Sequence, residues 1–148
     1  DIGLSLGNPY IGSKVFTIPK KGMLNVHHEE LPEYQNAQSI IWQLYNHSTH
    51  TGFTIHKVSK GIDAGDILYK ERVPIVFKEN LAETVAYNYA ALIKRSSIKL
   101  VDVLENFKRY EMESYAQGEG QSYTTPDLRS FRTIKKNFRE LLRLENRK

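Results

Sequence analysis

Apolar and polar residues along the first half of the chain follow the spacing of β-strands. Residues 2–6 predict a short strand that runs into a turn at residues 7–9, and residues 23–27 predict a second, buried strand. Residues 51–58 alternate with a two-residue period, and residues 67–76 are rich in β-branched and aromatic side chains. Because only a short turn separates these last two segments, we expect them to pair antiparallel.

Helical spacing marks other segments. Residues 37–46 place apolar side chains three and four positions apart, which predicts a helix packed on the sheet. Asn80 and Glu83 form a capping box at the start of a longer helix. Strands that alternate with helices predict an α/β fold. Three aromatic residues on these helices are interpreted as packing residues: Trp42, Tyr87 and Tyr89.

The C-terminal segment carries the basic character of the chain. Residues 126–148 hold eight Lys or Arg against three Asp or Glu, and the whole chain has a formal net charge of +4. Their apolar periodicity predicts an amphipathic helix after a polar loop at residues 114–125. Two interpretations of the basic face stay open: a solvated surface, or contact with a phosphate-bearing substrate or partner. We therefore divide the chain into residues 1–113 and a loop with a basic tail helix at residues 114–148.

Length and composition exclude several classes of protein. The 148 residues are enough for one compact domain. The chain has no cysteine, which excludes disulfides, thiolate metal sites and cysteine nucleophiles. It has neither a secretory signal nor an apolar run of the roughly 20 residues that cross a bilayer, so we expect a cytoplasmic protein. His47 and His50 have a spacing that two metal ligands could use, but we predict no metal site.

Asn25 and His27 lie two residues apart on a predicted strand, so their side chains point to the same face. An imidazole accepts a proton near neutral pH, and a side-chain amide donates to a developing oxyanion. A carboxylate such as Asp63 can orient the imidazole and raise its basicity. Spacing alone leaves two interpretations open: acyl-transfer chemistry, or a hydrogen-bonded structural pair.

Four motifs follow one another in order over residues 1–75. They are Asn25-x-His27, Leu31-Pro32-x-Tyr34, Thr51-Gly52-x-Thr54-Ile55-His56 and Gly61-Ile62-Asp63-x-Gly65-Asp66-Ile67-Leu68. In combination they resemble the formyltransferase family that uses 10-formyltetrahydrofolate, whose members act on methionyl-tRNA, glycinamide ribonucleotide and amino sugars. The resemblance implies the C-terminal half of a formyltransferase-type Rossmann-like domain, with a mixed sheet, an antiparallel strand pair and flanking helices.

The resemblance also implies an enzyme and the roles of its residues. His27 would accept a proton from the attacking amine, Asn25 would stabilise the tetrahedral oxyanion, and Asp63 would support His27. The implied formyl donor is 10-formyltetrahydrofolate, with no metal. The implied donor-binding residues are Pro9, Tyr10, Ile11, Lys60, Gly61 and Ile62. The implied substrate-binding residues are His28, Tyr34 and His56.

Two departures from the family pattern affect the acceptor and the fold. Glu29 and Glu30 stand in a run that is Ser-Leu-Leu-Pro in the family, and Asn36 stands where the family has the Gly of Tyr-Arg-Gly. The acidic pair would repel phosphate-rich substrates unless it points outward or meets a cationic amine. The family also has a nucleotide-binding-like half before the strand that begins near Ile2. We therefore expect a fragment that is inactive alone, with an open sheet edge covered by that half or by a second copy.

We expect the acceptor to be a nucleotide-linked amino sugar or another small primary amine. The family's methionyl-tRNA enzymes carry a further β-barrel domain, whereas this chain ends in a short loop and a basic helix. Methionyl-tRNA therefore stays as an alternative acceptor. A second alternative, from another functional class, is a non-catalytic binding or assembly module that keeps the fold. No membrane partner is expected.

Overall fold

The computed structural model describes residues 1–7 and 10–147. The elements in chain order are β1 (Gly3–Ser5), α1 (Ser13–Phe16), β2 (Met23–His27), α2 (Ile41–Tyr45), β3 (His50–Lys57), β4 (Ile67–Pro74), α3 (Leu81–Glu105), α4 (Phe107–Met112) and α5 (Leu128–Glu145). This order agrees with the α/β prediction, while the turn predicted at residues 7–9 lies mostly outside the described residues. None of the helices described has both the length and the apolarity needed to span a membrane.

The described strands form one mixed sheet in the order β1-β2-β3-β4. β1 runs parallel to β2, whereas β2 with β3 and β3 with β4 run antiparallel. The predicted antiparallel pairing of residues 51–58 with 67–76 is therefore confirmed. The register places Asn25 on β2 between Ser5 on β1 and His56 on β3.

The long helix α3 packs against the sheet. It begins at the predicted cap, where Asn80 Oδ1 accepts the Glu83 N–H at 2.9 Å. Because Leu24 and Val26 of β2 are buried in the core, strand alternation turns Asn25 and the neighbouring histidine to the other face. The main hydrophobic core comprises Leu24, Val26, Phe53, Ile55, Leu68, Leu92, Leu100, Val103, Phe107 and Tyr110.

Helix α2 is shorter than the sequence pattern predicts. The prediction covers residues 37–46, but the helix begins at Ile41 and ends at Tyr45. Ile40, the residue before it, has a φ of 50° and a ψ of −12°, which lies in the left-handed region. Its N–H donates to Glu29 Oε1 at 2.9 Å. A buried carboxyl group therefore takes the backbone donor that an earlier helix start would use.

Helix α5 packs on α2 through its apolar side. Asn137 Nδ2 donates to the carbonyl oxygens of Leu44 and Tyr45, at 3.0 and 2.7 Å. The tail helix predicted from the sequence is present and contacts the rest of the chain, while the division at residue 113 stays a prediction. Buried side chains of both helices form a second core with Ile40 and Ile75: Leu44, Ile134, Phe138 and Leu141.

The polar segment at residues 115–124, called the strap below, lies against the loops that follow β2 and β3. Tyr115 exchanges backbone hydrogen bonds with the first residue of β4, at 2.9 and 3.1 Å. The Gln121 carbonyl accepts the Gln35 N–H, and the Tyr123 N–H donates to the Gln35 carbonyl, both at 2.9 Å. The loop predicted here is therefore fixed to the domain at several points.

The packing of α5 predicts unequal costs for two leucines on that helix. Leu141 is 4% exposed, whereas Leu144 is 52% exposed. We expect Leu141→Ala to lower the free energy of unfolding by about 2–5 kcal/mol and Leu144→Ala by less than about 0.5 kcal/mol. Urea unfolding followed by the fluorescence of Trp42 measures both losses. Equal losses would contradict the packing of α5 on α2.

Candidate active site

Strand β2 ends in two polar residues, Asn25 and His27, that face away from the main core. Asn25 Nδ2 lies 3.2 Å from His56 Nε2 on the neighbouring strand. His56 Nδ1 lies 3.0 Å from the Lys57 carbonyl oxygen, which only accepts, so Nδ1 carries hydrogen. His56, a predicted substrate-binding residue, is 2% exposed, and its ring orients the Asn25 amide.

Asp63 brings a carboxylate to these side chains from the turn between β3 and β4. Its φ of 49° lies in the left-handed region, which Asp enters more readily than most residues. Oδ2 lies 3.6 Å from His27 Nδ1, and Oδ1 lies 3.6 Å from His56 Nε2. Oδ1 accepts from Asn25 Nδ2 at 3.4 Å, and Oδ2 accepts the Asn36 N–H at 2.9 Å. The structure thus brings the three predicted catalytic residues together.

The Asp63 carboxyl is ionised at neutral pH. Burial raises its pKa, but the hydrogen bond with His56, the charge that His27 carries when it is protonated and the Asn36 N–H outweigh that effect. These groups lower the pKa of Asp63 from 3.8 to about 2. A fixed negative charge therefore faces His27.

His27 has one ring nitrogen bound and one available. Nε2 lies 2.8 Å from the Tyr34 carbonyl oxygen, which only accepts, so Nε2 carries hydrogen. Burial lowers the pKa of His27 below 6.5, although the Asp63 carboxylate and the Tyr34 carbonyl raise it. The neutral ring therefore keeps its lone pair on Nδ1, towards Asp63. A proton taken up there would lie beside a carboxylate, which is an arrangement suited to a general base.

A pocket of about 190 Å³ opens at this cluster. Lys60, predicted to bind the donor, is exposed and is not among the residues that line it. Pro9, predicted to bind the donor as well, lies outside the described residues. The other four predicted donor-binding residues line this pocket: Tyr10, Ile11, Gly61 and Ile62.

A second pocket, of about 780 Å³, adjoins the first. Asn25, Asn36 and Asp63 line both pockets. His27 and His28 line the second pocket but not the first. The polar cluster therefore lies where the two pockets meet.

Two predicted substrate-binding residues occupy different places. His28 lines the second pocket, with Nε2 3.2 Å from Ser96 Oγ and its ring edge-on to Tyr89 at 5.3 Å between centroids. The Tyr34 ring lines neither of these pockets and stacks on Tyr123, with centroids 5.5 Å apart. Tyr34 contributes to the cluster through its backbone carbonyl instead.

The sequence predicted that the aromatic residues of α3 are packing residues, but the structure leaves both exposed. Tyr89 is 43% exposed and lines the second pocket, and Tyr87 is 48% exposed with Lys78 Nζ 3.8 Å from its ring centroid. The interpretation is right for Trp42, which is 8% exposed. It is wrong for the other two because the N-terminal half of α3 buries a neighbouring stripe: Thr84, Asn88 and Leu92.

The acidic pair does not present two bare charges to the second pocket. Glu29 is 1% exposed, and burial raises the pKa of its carboxyl well above 4.5 although the Ile40 N–H lowers it. Its Oε2 has no hydrogen-bond partner among the described residues. Glu30 Oε1 lies 3.7 Å from Arg72 Nε. Burial therefore disfavours the charged form of Glu29, and Glu30 is paired with Arg72, so the two residues present less negative charge to a phosphate than two free carboxylates would.

The described residues contain no group of three or more His, Cys, Asp or Glu placed to hold a metal ion. His47 Nε2 lies 3.4 Å from Glu140 Oε2. His50 Nδ1 lies 3.0 Å from Thr49 Oγ1. The two histidines that share a metal-ligand spacing therefore contact different neighbours.

Asn36 belongs to this site, although the sequence did not identify it. It lines both pockets, and its backbone N–H binds the Asp63 carboxylate. Its φ of 54° lies in the left-handed region. The signal was its replacement of a family Gly, since Gly and Asn adopt that conformation most readily.

The sequence profile of the family described as formyl transferase matches residues 9–101 of this chain. The chain belongs to that family. The resemblance drawn from the four motifs is therefore confirmed. A methionyl-tRNA formyltransferase of Nostoc sp. is 35% identical over 104 residues, which cover 70% of this chain and 29% of the relative. The chain spans about a third of the length of the curated relatives it matches.

Solved structures share the fold. HypX from Aquifex aeolicus superposes with a TM-score of 0.67 at 20% identity, over 86% of this chain and 22% of HypX. The formyltransferase PseJ from Anoxybacillus kamchatkensis, solved with UDP-4,6-dideoxy-4-formamido-L-AltNAc and tetrahydrofolate, superposes with a TM-score of 0.60 at 21% identity. That match covers 81% of this chain and 62% of PseJ. These similarities confirm the predicted mixed sheet with flanking helices.

The buried Glu29 carboxyl makes stability fall as pH rises. Its raised pKa means that the folded state keeps a proton that the unfolded chain releases above 4.5. The contribution of Glu29 to the free energy of unfolding is complete below pH 4.5 and is lost as pH rises through the raised pKa. We expect Glu29→Gln to raise the melting temperature by a few degrees at about pH 8 and to leave it unchanged at about pH 4.

The matched control is Glu79→Gln, which alters an exposed carboxyl. Thermal melts of the control should match those of the parent protein at both pH values. A shift of the melting temperature in Glu29→Gln that is the same at both pH values would contradict the raised pKa of Glu29.

Proposed function

We propose that this chain takes part in formyl transfer from 10-formyltetrahydrofolate to a primary amine. The observation that carries the proposal is the meeting of two pockets at Asn25, Asn36 and Asp63. A donor in the first pocket and an acceptor in the second would reach the same polar side chains. Formyl transfer needs this arrangement, because the amine must approach the formyl carbon while both substrates are bound.

The first pocket suits the flat ring of a folate. Tyr10, Ile11 and Ile62 provide apolar surface, and the backbone around Gly61 provides polar groups. PseJ, which shares the fold, was solved with tetrahydrofolate. We therefore place the donor in the first pocket, with its formyl group towards Asn25.

The reaction forms a bond between the amine nitrogen and the formyl carbon, while the carbonyl electron pair moves onto oxygen. Asn25 donates an amide hydrogen to this oxyanion. The hydrogen that it donates is the one in the longer of its two hydrogen bonds, in which Nδ2 lies 3.4 Å from Asp63 Oδ1. His27 Nδ1 takes the proton that the amine loses. Collapse of the intermediate breaks the bond between the formyl carbon and N10 of the folate, and N10 receives that proton. The products are a formamide and tetrahydrofolate.

Two groups hold His27 in its role as base. The Tyr34 carbonyl accepts the hydrogen on Nε2 and so fixes which nitrogen is free. The Asp63 carboxylate, 3.6 Å from Nδ1, stabilises the imidazolium that forms when the amine gives up its proton. The base is therefore neutral before the reaction and becomes charged beside a fixed negative group.

We propose a nucleotide-linked amino sugar as the acceptor. PseJ was solved with a UDP-linked formamido sugar. In this chain burial disfavours the charged form of Glu29 and Glu30 is paired with Arg72, so the second pocket presents no free acidic pair to a nucleotide phosphate. The exposed Tyr89 ring offers a flat wall in the same pocket.

Methionyl-tRNA is the second candidate acceptor. The relative from Nostoc sp. that bears that name is 35% identical to this chain. The exposed basic residues of α5 offer a surface for phosphates, and binding of RNA there would weaken steeply with added salt. A non-catalytic module is disfavoured, because Asn25 and His27 both contact the Asp63 carboxylate.

Strand β1 forms one edge of the sheet, since it pairs only with β2 among the described strands. Leu4 on this strand is 42% exposed. We propose that a half-domain of the same family fold, or a second copy of the protein, covers this edge. Activity is therefore assayed on the complete gene product.

Turnover tests the proposal directly. The assay supplies 10-formyltetrahydrofolate with a panel of nucleotide-linked amino sugars and, separately, with methionyl-tRNA at low and high salt. We expect His27→Ala to lower kcat by about 10²- to 10⁴-fold, because it removes the general base. The matched control is His47→Ala, which removes an exposed histidine outside both pockets and should keep the parent kcat.

The acceptor that supports turnover decides between the two candidates. Formylation of an amino sugar, abolished by His27→Ala, is the expected result. Formylation of methionyl-tRNA alone would replace the first candidate with the second. A folded protein that formylates no amine would contradict the enzyme proposal.

The pH dependence of kcat/KM reports on the same base. Since burial lowers the pKa of His27 below 6.5, the acid limb of the profile should have its midpoint below that pH. In Asp63→Asn the carboxylate that raises this pKa is gone, so the limb should move to still lower pH and kcat should fall at least about tenfold. Rates measured between about pH 4.5 and 8 give both midpoints. A midpoint above 6.5, or one that Asp63→Asn leaves in place, would contradict His27 as the base.

A further inference from the structure

The strap lies beyond residues 9–101, the part of the chain that the family profile matches, yet it reaches the catalytic cluster. Gln117 Nε2 donates to the Asp63 carbonyl at 2.9 Å and to the Gly65 carbonyl at 2.6 Å. Carbonyl oxygens only accept, so an amide nitrogen is the group that fits between them. Gln117 therefore clamps the backbone of the turn that carries the Asp63 carboxylate.

This turn needs to be held in place. Asp63 has a φ of 49°, a conformation that costs a non-glycine residue free energy and persists only where the surroundings fix it. Gly65 lies so close to β3 that a Cβ on it would overlap the Lys57 carbonyl oxygen. The turn thus has one strained residue and one tightly packed residue, with the two Gln117 hydrogen bonds on their carbonyls.

The strap also fixes the other side of the cluster. The Tyr123 carbonyl accepts from Asn36 Nδ2 at 2.9 Å, and the Tyr123 ring stacks on Tyr34. Asn36 in turn donates its N–H to Asp63 Oδ2, and the Tyr34 carbonyl accepts from His27 Nε2. The strap therefore contacts Tyr34, whose carbonyl binds His27 Nε2, and Asn36, whose N–H binds the carboxylate that faces His27 Nδ1.

We infer that Gln117 is a positioning residue, whose side-chain amide keeps the Asp63 carboxylate facing His27 Nδ1. The inference rests on the proposed function, in which that carboxylate stabilises protonated His27. It adds residues 115–124 to the parts of the chain on which formyl transfer depends.

The test compares Gln117→Met, which keeps the length of the side chain and loses the donor, with Glu119→Met in the complete gene product. Glu119 is exposed on the same strap, and its side chain has no hydrogen bond or ion pair among the described residues. We expect Gln117→Met to lower kcat by about 10- to 100-fold, as a displacement of about 1 Å does, with the donor KM changed less than about threefold. Glu119→Met should match the parent protein.

Two further readouts separate positioning from general loss of structure. The acid limb of kcat/KM and the NMR titration of His27 should both move to lower pH in Gln117→Met, because His27 loses part of the Asp63 charge. Neither should move in Glu119→Met. If thermal melting shows that Gln117→Met does not fold, Gln117→Leu, which also lacks the amide donor and adds no charge, takes its place.

Parent kcat and an unchanged His27 titration in the folded variant would overturn the role of Gln117 and leave the proposed function standing. Turnover that survives His27→Ala would overturn the proposed function instead. The NMR titration of His27 needs no turnover, so it would still decide whether Gln117 positions Asp63.

Discussion

The charge of the Asp63 carboxylate is the constraint on which this site depends. The group is largely buried and stays ionised, because His56, His27 and the Asn36 N–H compensate the loss of water. His27 and the Asn36 N–H face Asp63 Oδ2, and His56 faces Asp63 Oδ1. His27 Nδ1 faces the carboxylate, so a proton taken up there would be stabilised where it forms.

Four elements of the fold build the surroundings of this carboxylate: β2, β3, the turn that follows β3 and the strap. Alternation along β2 puts Asn25 and His27 on the face away from the core, and pairing with β3 puts His56 beside them. The turn after β3 adds Asp63, and the strap closes over that turn from more than fifty residues further along the chain. The two pockets meet at the one place that all these segments reach.

Local pattern predicted the strands, the α3 cap and the position of Asn25 and His27 on one face of β2, because each depends on neighbours within a few residues. The contact of Gln117 with Asp63 could not be predicted, since nothing in a polar loop indicates which distant carbonyls it will meet. The helical period identified a stripe on α3, but it could not show that the sheet leaves Tyr89 uncovered. Nothing in the sequence indicated that Glu29 would be buried with a raised pKa, because both properties arise from the surrounding packing.

A crystal structure of the complete gene product with a stable analogue of 10-formyltetrahydrofolate tests the account most directly. The account predicts the pterin ring against Tyr10, Ile11 and Ile62, with the formyl oxygen within hydrogen-bond distance of Asn25 Nδ2. It also predicts open space in the second pocket from which an amine can approach the formyl carbon to about 3–3.5 Å. A folate bound elsewhere, or a formyl group directed away from Asn25 and His27, would contradict the central claim that formyl transfer occurs where the two pockets meet.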